Sequence, residues 1–142
     1  MLHRRLPIFA AALWWGSLTA VGFMVVPLLF ANLPSPAIAG QMAARLFAAQ
    51  TWVSTGCAVL LLLLSRSKRT GLVVDWAPAA LVFVAGGLLL ALLGEFAVSP
   101  RIVARENLRL WHAMGSAMYL LQWFCAGVTL WKLTPKNSAA TV

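Results

Sequence analysis

Residues 46–65 read LFAAQTWVSTGCAVLLLLLS, a run of 20 residues without a charged side chain. An α-helix rises 1.5 Å per residue, so about 20 apolar residues cross the roughly 30 Å hydrocarbon core of a bilayer. Three further uncharged runs are of similar or greater length, at 6–44, 76–94 and 110–131. The sequence therefore predicts four membrane-spanning helices.

The composition of the whole chain points the same way. Of its 142 residues, 62% are hydrophobic and 10% are charged, and the mean hydropathy is +0.88. A soluble domain has about 45–50% apolar and 25% charged residues, and a chain of this length cannot hide so much apolar surface in one core. An ordinary water-soluble fold is excluded. We expect a single transmembrane domain over residues 1–142, with the lipid bilayer as its main partner.

Proline, glycine and capping residues set the expected helix limits. Proline lacks an amide donor and disfavours helix at the residue before it, so the first uncharged run is expected to hold one helix and a link. The residues that break this run are Asn32, Pro34, Pro36 and Gly40. Asp75 is placed to cap the third helix, and Ser99-Pro100 is expected to end it. The predicted helices span residues 6–30, 41–65, 72–98 and 108–132.

The distribution of positive charge predicts the orientation, because Lys and Arg collect in cytoplasmic loops. The side that holds both termini carries Arg4, Arg5, Arg66, Lys68, Arg69, Lys132 and Lys136. The other side carries Arg45, Arg101, Arg105 and Arg109. We therefore predict an all-α, antiparallel, up-down-up-down bundle in the inner (plasma) membrane, with both termini cytoplasmic.

The basic N-terminal segment and the net positive charge each have an alternative explanation. A cleaved secretory signal would need an apolar region of about 7–15 residues, whereas the first helix has a longer one. A nucleic-acid partner is not needed to explain the net charge of +8, since topology and attraction to anionic lipid head groups account for it. A retained first helix and no nucleic-acid partner are expected.

Small residues at four-residue steps indicate where the helices pack, because small side chains let helix backbones approach closely in lipid. The predicted stripes are Ala12, Gly16 and Ala20, then Ser54 and Ala58, then Gly87 and Ala91. One further step on the third helix reaches Glu95, which is therefore predicted to point into the bundle. A homo-oligomer of such bundles is compatible with the sequence.

The candidate site follows from the few polar residues within the spans. His112, Ser116, Tyr119 and Trp123 share one face of the fourth helix, at spacings of four, three and four. The predicted topology brings His112 to the same external level as Glu95 and Gln50, with Arg45, Arg101 and Arg105 around them. Ionisable groups are costly in a membrane unless they are paired or wetted. This external end is the predicted ligand-binding site.

Three interpretations of that end stay open. Glu95 with Arg101 or Arg105 could be a structural ion pair only. The cluster could instead form a pocket that binds or passes a small polar solute or ion. The third is a haem or copper centre, with His112, Met114 and Met118 as the candidate ligands. The sequence holds no Cys-x-x-Cys pair, phosphate-binding glycine loop or His-Glu-x-x-His element, so a non-enzymatic protein is expected.

Short elements along nearly the whole chain resemble the bacterial family of unknown function related to transmembrane protein 205. They are Trp15-Gly16, Phe23, Val26-Pro27, Phe30, Leu33, Ala39-Gly40, Arg45-Leu46-Phe47, and His112 with Ser116. The resemblance implies a four-helix inner-membrane protein and no defined activity. A wider similarity, to the copper-resistance protein D superfamily and HemJ, implies haem or copper held by histidines in early and late helices. Only His112 matches that pattern, since the first span has no histidine.

Overall fold

The computed structural model of the protein describes residues 2–66 and 77–134, and within these residues all regular structure is helical. The α-helices are α1 (Leu2–Ala20), α2 (Val26–Asn32), α3 (Pro36–Arg66), α4 (Ala77–Leu93), α5 (Ser99–Val103) and α6 (Leu108–Leu133). A first π turn, Val21–Val25, joins α1 to α2, and a second π turn, Gly94–Val98, joins α4 to α5.

These elements form four continuous helical spans that are long and apolar enough to cross a membrane. They cover Arg5–Asn32, Pro36–Ser65, Ala79–Val103 and Leu108–Leu133. For residues 2–66 and 77–134, the prediction of all-helical structure with four spans is therefore confirmed. The protein is a multi-pass membrane protein.

The predicted link over 31–40 is wrong, because only residues 33–35 separate α2 from α3. Pro36 is the first residue of α3, where the missing proline amide costs no helical hydrogen bond. Ser35 caps this end: the Ile38 amide donates to the Ser35 hydroxyl oxygen at 3.3 Å and the Ala39 amide to the Ser35 carbonyl at 3.1 Å. Gly40 lies inside the helix.

The third span also continues beyond its predicted end. Ser99-Pro100 does not stop it, because the second π turn precedes the proline and the chain stays helical to Val103. The predicted Asp75 cap and the predicted start of the third helix, at residues 72–76, lie outside the described residues. The fourth helix, predicted over 108–132, ends one residue later.

The spans pack in a ring in which each contacts two others, α1 with α3 and α6, and α4 with α3 and α6. The predicted small residues of the second and third spans, Ser54, Ala58, Gly87 and Ala91, are buried. A methyl group on Gly87 would come within 2.7 Å of the Trp14 ring, which requires glycine at this crossing.

The predicted stripe of the first span is wrong in its first two members, since Ala12 and Gly16 are exposed. The packed face of α1 instead carries Ala11, Trp14 and Leu18, each with no exposed surface. The indole of Trp14 fills the space that the missing side chain of Gly87 leaves on the third span. The face of α1 that packs in the bundle therefore carries a large residue, whereas small residues were predicted for it.

Candidate functional site

The four spans separate into two helix pairs beyond the π turns. α2 packs against α3, and α5 packs against α6. Within the described residues α2 and α6 make few or no contacts, although α1 and α6 pack closely. The first and fourth spans therefore diverge toward the end of the bundle that carries residues 33–35 and 104–107, which we call the link end.

Both π turns have the same local cause. The Val26 amide donates to the Val21 carbonyl and the Ser99 amide to the Gly94 carbonyl, each five residues back. A proline, Pro27 or Pro100, follows directly in the next helix. Because proline has no amide hydrogen, the carbonyl four residues earlier loses its α-helical partner, and the helix accommodates an extra residue. Such π turns bend helices and are frequent at functional sites.

A cavity of about 450 Å³ lies between the two pairs. Ligand pockets commonly measure about 300–1,000 Å³, so the cavity has the size of a small-molecule site. On α6 its lining runs from His112 to Gln122, which is about 15 Å at 1.5 Å per residue. That depth is about half of a 30 Å hydrocarbon core.

The inner end of the cavity is built from two buried glutamines that share a serine. The Gln50 side-chain amide donates to the Ser17 hydroxyl oxygen at 2.9 Å and to the Ser54 hydroxyl oxygen at 3.3 Å. The Gln122 amide donates to the same Ser54 oxygen at 2.9 Å. Both glutamines line the cavity while only 5% exposed. This network joins the first, second and fourth spans in the membrane interior.

Aromatic side chains make part of the cavity wall. The rings of Phe47 and Tyr119 meet edge to face, with centroids 5.2 Å apart. The Tyr119 hydroxyl donates to the Leu18 carbonyl at 2.7 Å, and the ring lies against Gly22. The packing of the Tyr119 ring against Phe47 and Gly22 and the hydrogen bond to Leu18 together fix the orientation of the ring.

The structure brings four of the seven predicted site residues to the cavity. Gln50, Glu95, His112 and Ser116 line it, together with Tyr119 from the predicted polar face. Trp123 does not line it, and its indole nitrogen donates to the Thr19 hydroxyl at 2.8 Å.

The predicted arginines lie outside the lining. Arg101 donates to the Ala97 carbonyl at 2.6 Å, and its guanidinium stacks 4.6 Å from the centre of the Trp111 ring. Arg45 and Arg105 are exposed. Among the described residues Glu95 forms no ion pair with these arginines at a limit of 4.0 Å. The structure therefore does not contain the ion pair considered from the sequence.

Glu95 and His112 lie at different depths. Gly87 lies beside Cys125, and Gly115 lies beside Val98, so this register brings Glu95 level with the turn of α6 around Met118. His112 is six residues from Met118, or about 9 Å nearer the link end. The sequence placed both at one level, because helical periodicity gives the face of a residue and not the register between helices.

Gln122 and Phe47 are two of the lining residues that sequence reasoning missed. Gln122 is an amide in an otherwise apolar run, and that isolated polarity was a usable signal for a buried hydrogen bond. Phe47 carried no such signal, since an aromatic residue in a span is ordinary. Its role depends on the register of α3 against α6.

The donor set for a metal is small. His112 and Met118 line the cavity, whereas Met114 is 44% exposed and does not. Within the part of the chain that the structure describes, no three His, Cys, Asp or Glu side chains are grouped to hold a metal ion. Of the three candidate metal ligands, the lining therefore contains one imidazole and one thioether, both on α6 and six residues apart.

Fold and site together define a multi-pass helical membrane protein with a cavity between its spans. The chain belongs to the family described as Domain of unknown function (DUF4149), whose model matches residues 9–110. The matched region includes both π turns, Gln50 and Glu95, and it ends two residues before His112. No curated protein and no solved structure matches the chain. These comparisons do not link it to transmembrane protein 205, the copper-resistance protein D superfamily or HemJ.

Proposed function

We propose that this protein is a non-enzymatic membrane protein that binds a small lipophilic molecule in the cavity between the helix pairs α2/α3 and α5/α6. One observation carries the proposal. Two proline-linked π turns, on different spans, accompany the parting of the bundle and leave a cavity of ligand size that has apolar walls and a polar inner end.

The side of the cavity favours entry from the bilayer. Phe23 and Leu120 line the cavity on the first and fourth spans and are 49% and 51% exposed. They flank the gap where α2 and α6 diverge. A molecule dissolved in the lipid reaches the cavity through this gap without crossing a polar loop.

Binding is favoured over passage through the bundle. The half of the spans away from the link end holds a core with Trp14, Leu18, Leu61 and Val84 fully buried. Among the described residues, the cavity lining on the fourth span stops at Gln122, and the close packing of this core separates the cavity from the other end of the spans. The sequence-based alternative of a path for a small polar solute or ion would require these residues to separate.

We place the protein in the inner membrane with its spans running up and down and both termini cytoplasmic. The support is the excess of Lys and Arg on the side of the termini, seven against four. In this orientation the link end faces the external side, and the cavity opens in the outer half of the bilayer.

The proposal is tested by a substitution that places a large side chain in the cavity, at a position with room for it. Gly94 lines the cavity, and an added Cβ would meet nothing within 4 Å. Gly86, on the same span and outside the lining, is equally open. Gly94→Phe and Gly86→Phe therefore make a matched pair, with the same substitution and the same loss of a glycine from one span.

The probe is N-phenyl-1-naphthylamine, a neutral lipophilic fluorophore, titrated into each purified protein in the same detergent. We expect saturable binding to the wild type and to Gly86→Phe, and loss of that binding in Gly94→Phe. The partition of the probe into detergent is the same for all three proteins, so it cancels when their binding is compared. Equal binding by the two variants, in folded samples, would refute a ligand site in this cavity.

A further inference from the structure

We infer that the cavity selects amphipathic organic cations, with the cationic centre beside Glu95 and the apolar body against the aromatic wall. This inference rests on the proposed binding function and names its ligand class. The lining contains one carboxylate, that of Glu95, and among the described residues no Lys or Arg belongs to it. A carboxylate in an apolar cavity is stabilised by a positive charge, and the chain supplies none within 4.0 Å of it among those residues.

The neighbouring polar atoms also favour a positive ligand. The Gln50 amide nitrogen donates to the Ser17 and Ser54 hydroxyl oxygens, and the Gln122 amide nitrogen donates to that of Ser54. Their amide oxygens accept no hydrogen bond from any described residue, although both side chains are 95% buried in the cavity lining. Two side chains with an amide oxygen that lacks a donor among the described residues, and one carboxylate, therefore line the inner half of the cavity. Such oxygens attract an ammonium group or another cation and repel an anion.

The aromatic wall adds to this preference. Four aromatic rings line the cavity, those of Phe23, Phe30, Phe47 and Tyr119. The face of an aromatic ring attracts a cation within about 6 Å, and the effect grows where water is excluded. The same rings pack against the apolar part of a ligand, so one wall serves both parts of an amphipathic cation.

The basic residues of the link end do not oppose this selection. Arg101 is held by Ala97 and Trp111, and Arg45 and Arg105 are exposed outside the lining. Entry between α2 and α6 brings a ligand to Glu95 from the lipid side and not past these arginines. His112 is the one basic side chain in the described lining, and it lies about 9 Å from the depth of Glu95.

The test uses two probe ions of nearly the same size and shape, tetraphenylphosphonium and tetraphenylborate, which differ in the sign of their charge. Each is titrated against the purified wild type and against Glu95→Gln and Glu106→Gln, and displacement of N-phenyl-1-naphthylamine is measured. Glu106 is an exposed acid of the link 104–107, so its variant removes the same charge outside the cavity.

We expect tetraphenylphosphonium to displace the neutral probe from the wild type and from Glu106→Gln, and to bind Glu95→Gln about tenfold or more weakly. Tetraphenylborate should displace it poorly from the wild type, and no worse from Glu95→Gln. Comparison of each ion between variants cancels its partition into detergent.

Equal affinity of tetraphenylphosphonium for the wild type and Glu95→Gln would overturn the inference, as would displacement by tetraphenylborate equal to that by tetraphenylphosphonium on the wild type. The second comparison is made at equal free concentrations of the two ions, after the partition of each into protein-free detergent has been measured. It needs no variant, so it decides the matter even if Glu95→Gln does not fold. If the neutral probe binds in the cavity and neither ion displaces it, cation selection is wrong while the proposed binding function stands. If the neutral probe fails to distinguish Gly94→Phe from Gly86→Phe, both fall.

Discussion

Gly22 packs closely against the Tyr119 ring where the first and fourth spans meet at the cavity. A Cβ atom on residue 22 would lie 2.5 Å from Cε1 of Tyr119. The ring cannot turn aside at low cost, because it packs against Phe47 and its hydroxyl donates to the Leu18 carbonyl. Glycine at position 22 is thus required by the neighbouring ring and not by its backbone conformation.

Gly22→Ala should lower the free energy of unfolding by about 1–3 kcal/mol, because the added methyl overlaps a ring that is held on two sides. Gly16→Ala is the matched control on the same span, since a Cβ there would meet nothing within 4 Å. It should leave stability unchanged or raise it by up to about 1 kcal/mol through helix propensity. Denaturation of both variants in one detergent checks this. A Gly22→Ala protein as stable as Gly16→Ala would contradict the close contact.

At the scale of elements, a π turn followed by proline is the device that shapes the site. The first and second π turns lie on the first and third spans, and both border the cavity through Gly22, Gly94 and Glu95. An extra residue in one turn rotates the following helix relative to the preceding one by about 100°. The face that α5 presents to the cavity therefore depends on the second π turn.

Pro100→Ala should weaken the binding of N-phenyl-1-naphthylamine severalfold. The new amide at position 100 can donate to the Phe96 carbonyl, which allows the second π turn to relax to an α-helix and turns Ile102 out of the lining. The unfolding temperature should stay the same or rise, since a helical hydrogen bond is regained. Pro7→Ala, also inside a helix but away from the cavity, should bind as the wild type does. Equal binding by both variants would show that the π turn does not shape the site.

The elements also show what the sequence could predict. Four spans follow from the uncharged runs, and the inward face of Glu95 follows from its position one step beyond Gly87 and Ala91. The π turns were missed, because a proline in an apolar run predicts an end or a kink, and local sequence does not decide between them. For this reason the sequence predicted an end at Ser99-Pro100, where the third span in fact continues.

At the scale of the whole molecule, the distances between polar groups depend on the register of the spans, that is, on how far each helix is shifted along its neighbours. The face of α6 that carries His112, Ser116 and Tyr119 could be predicted from their spacing. The depth of Glu95 relative to His112 could not, because it is fixed by contacts such as Gly87 with Cys125. The exclusion of Arg45 and Arg101 from the lining depends on the same long-range packing.

The proposed orientation makes a separate prediction. Alkaline phosphatase is active only after export, so a fusion after residue 142 should be inactive in cells and an insertion within 104–107 should be active. The physical reason is the retention of Lys and Arg on the cytoplasmic side, because the side that holds the termini carries seven of these residues and the other side four. An active fusion at residue 142 together with an inactive insertion at 104–107 would show that the orientation is opposite to the proposed one.

The central claim is that a molecule from outside the bundle reaches the cavity, whose lining includes Gly94 of the second π turn. The reactivity of a cysteine placed at this position tests the claim most directly. Gly94→Cys and Gly86→Cys are compared in a background in which Cys57 and Cys125, the free cysteines of the described residues, are replaced by alanine. A thiolate forms only where water reaches the thiol, so N-ethylmaleimide should label Gly94→Cys severalfold faster than Gly86→Cys, even though the neighbouring Glu95 carboxylate disfavours the thiolate. N-phenyl-1-naphthylamine should slow the labelling of Gly94→Cys alone. Equal rates at the two positions, unaffected by the probe, would contradict the cavity.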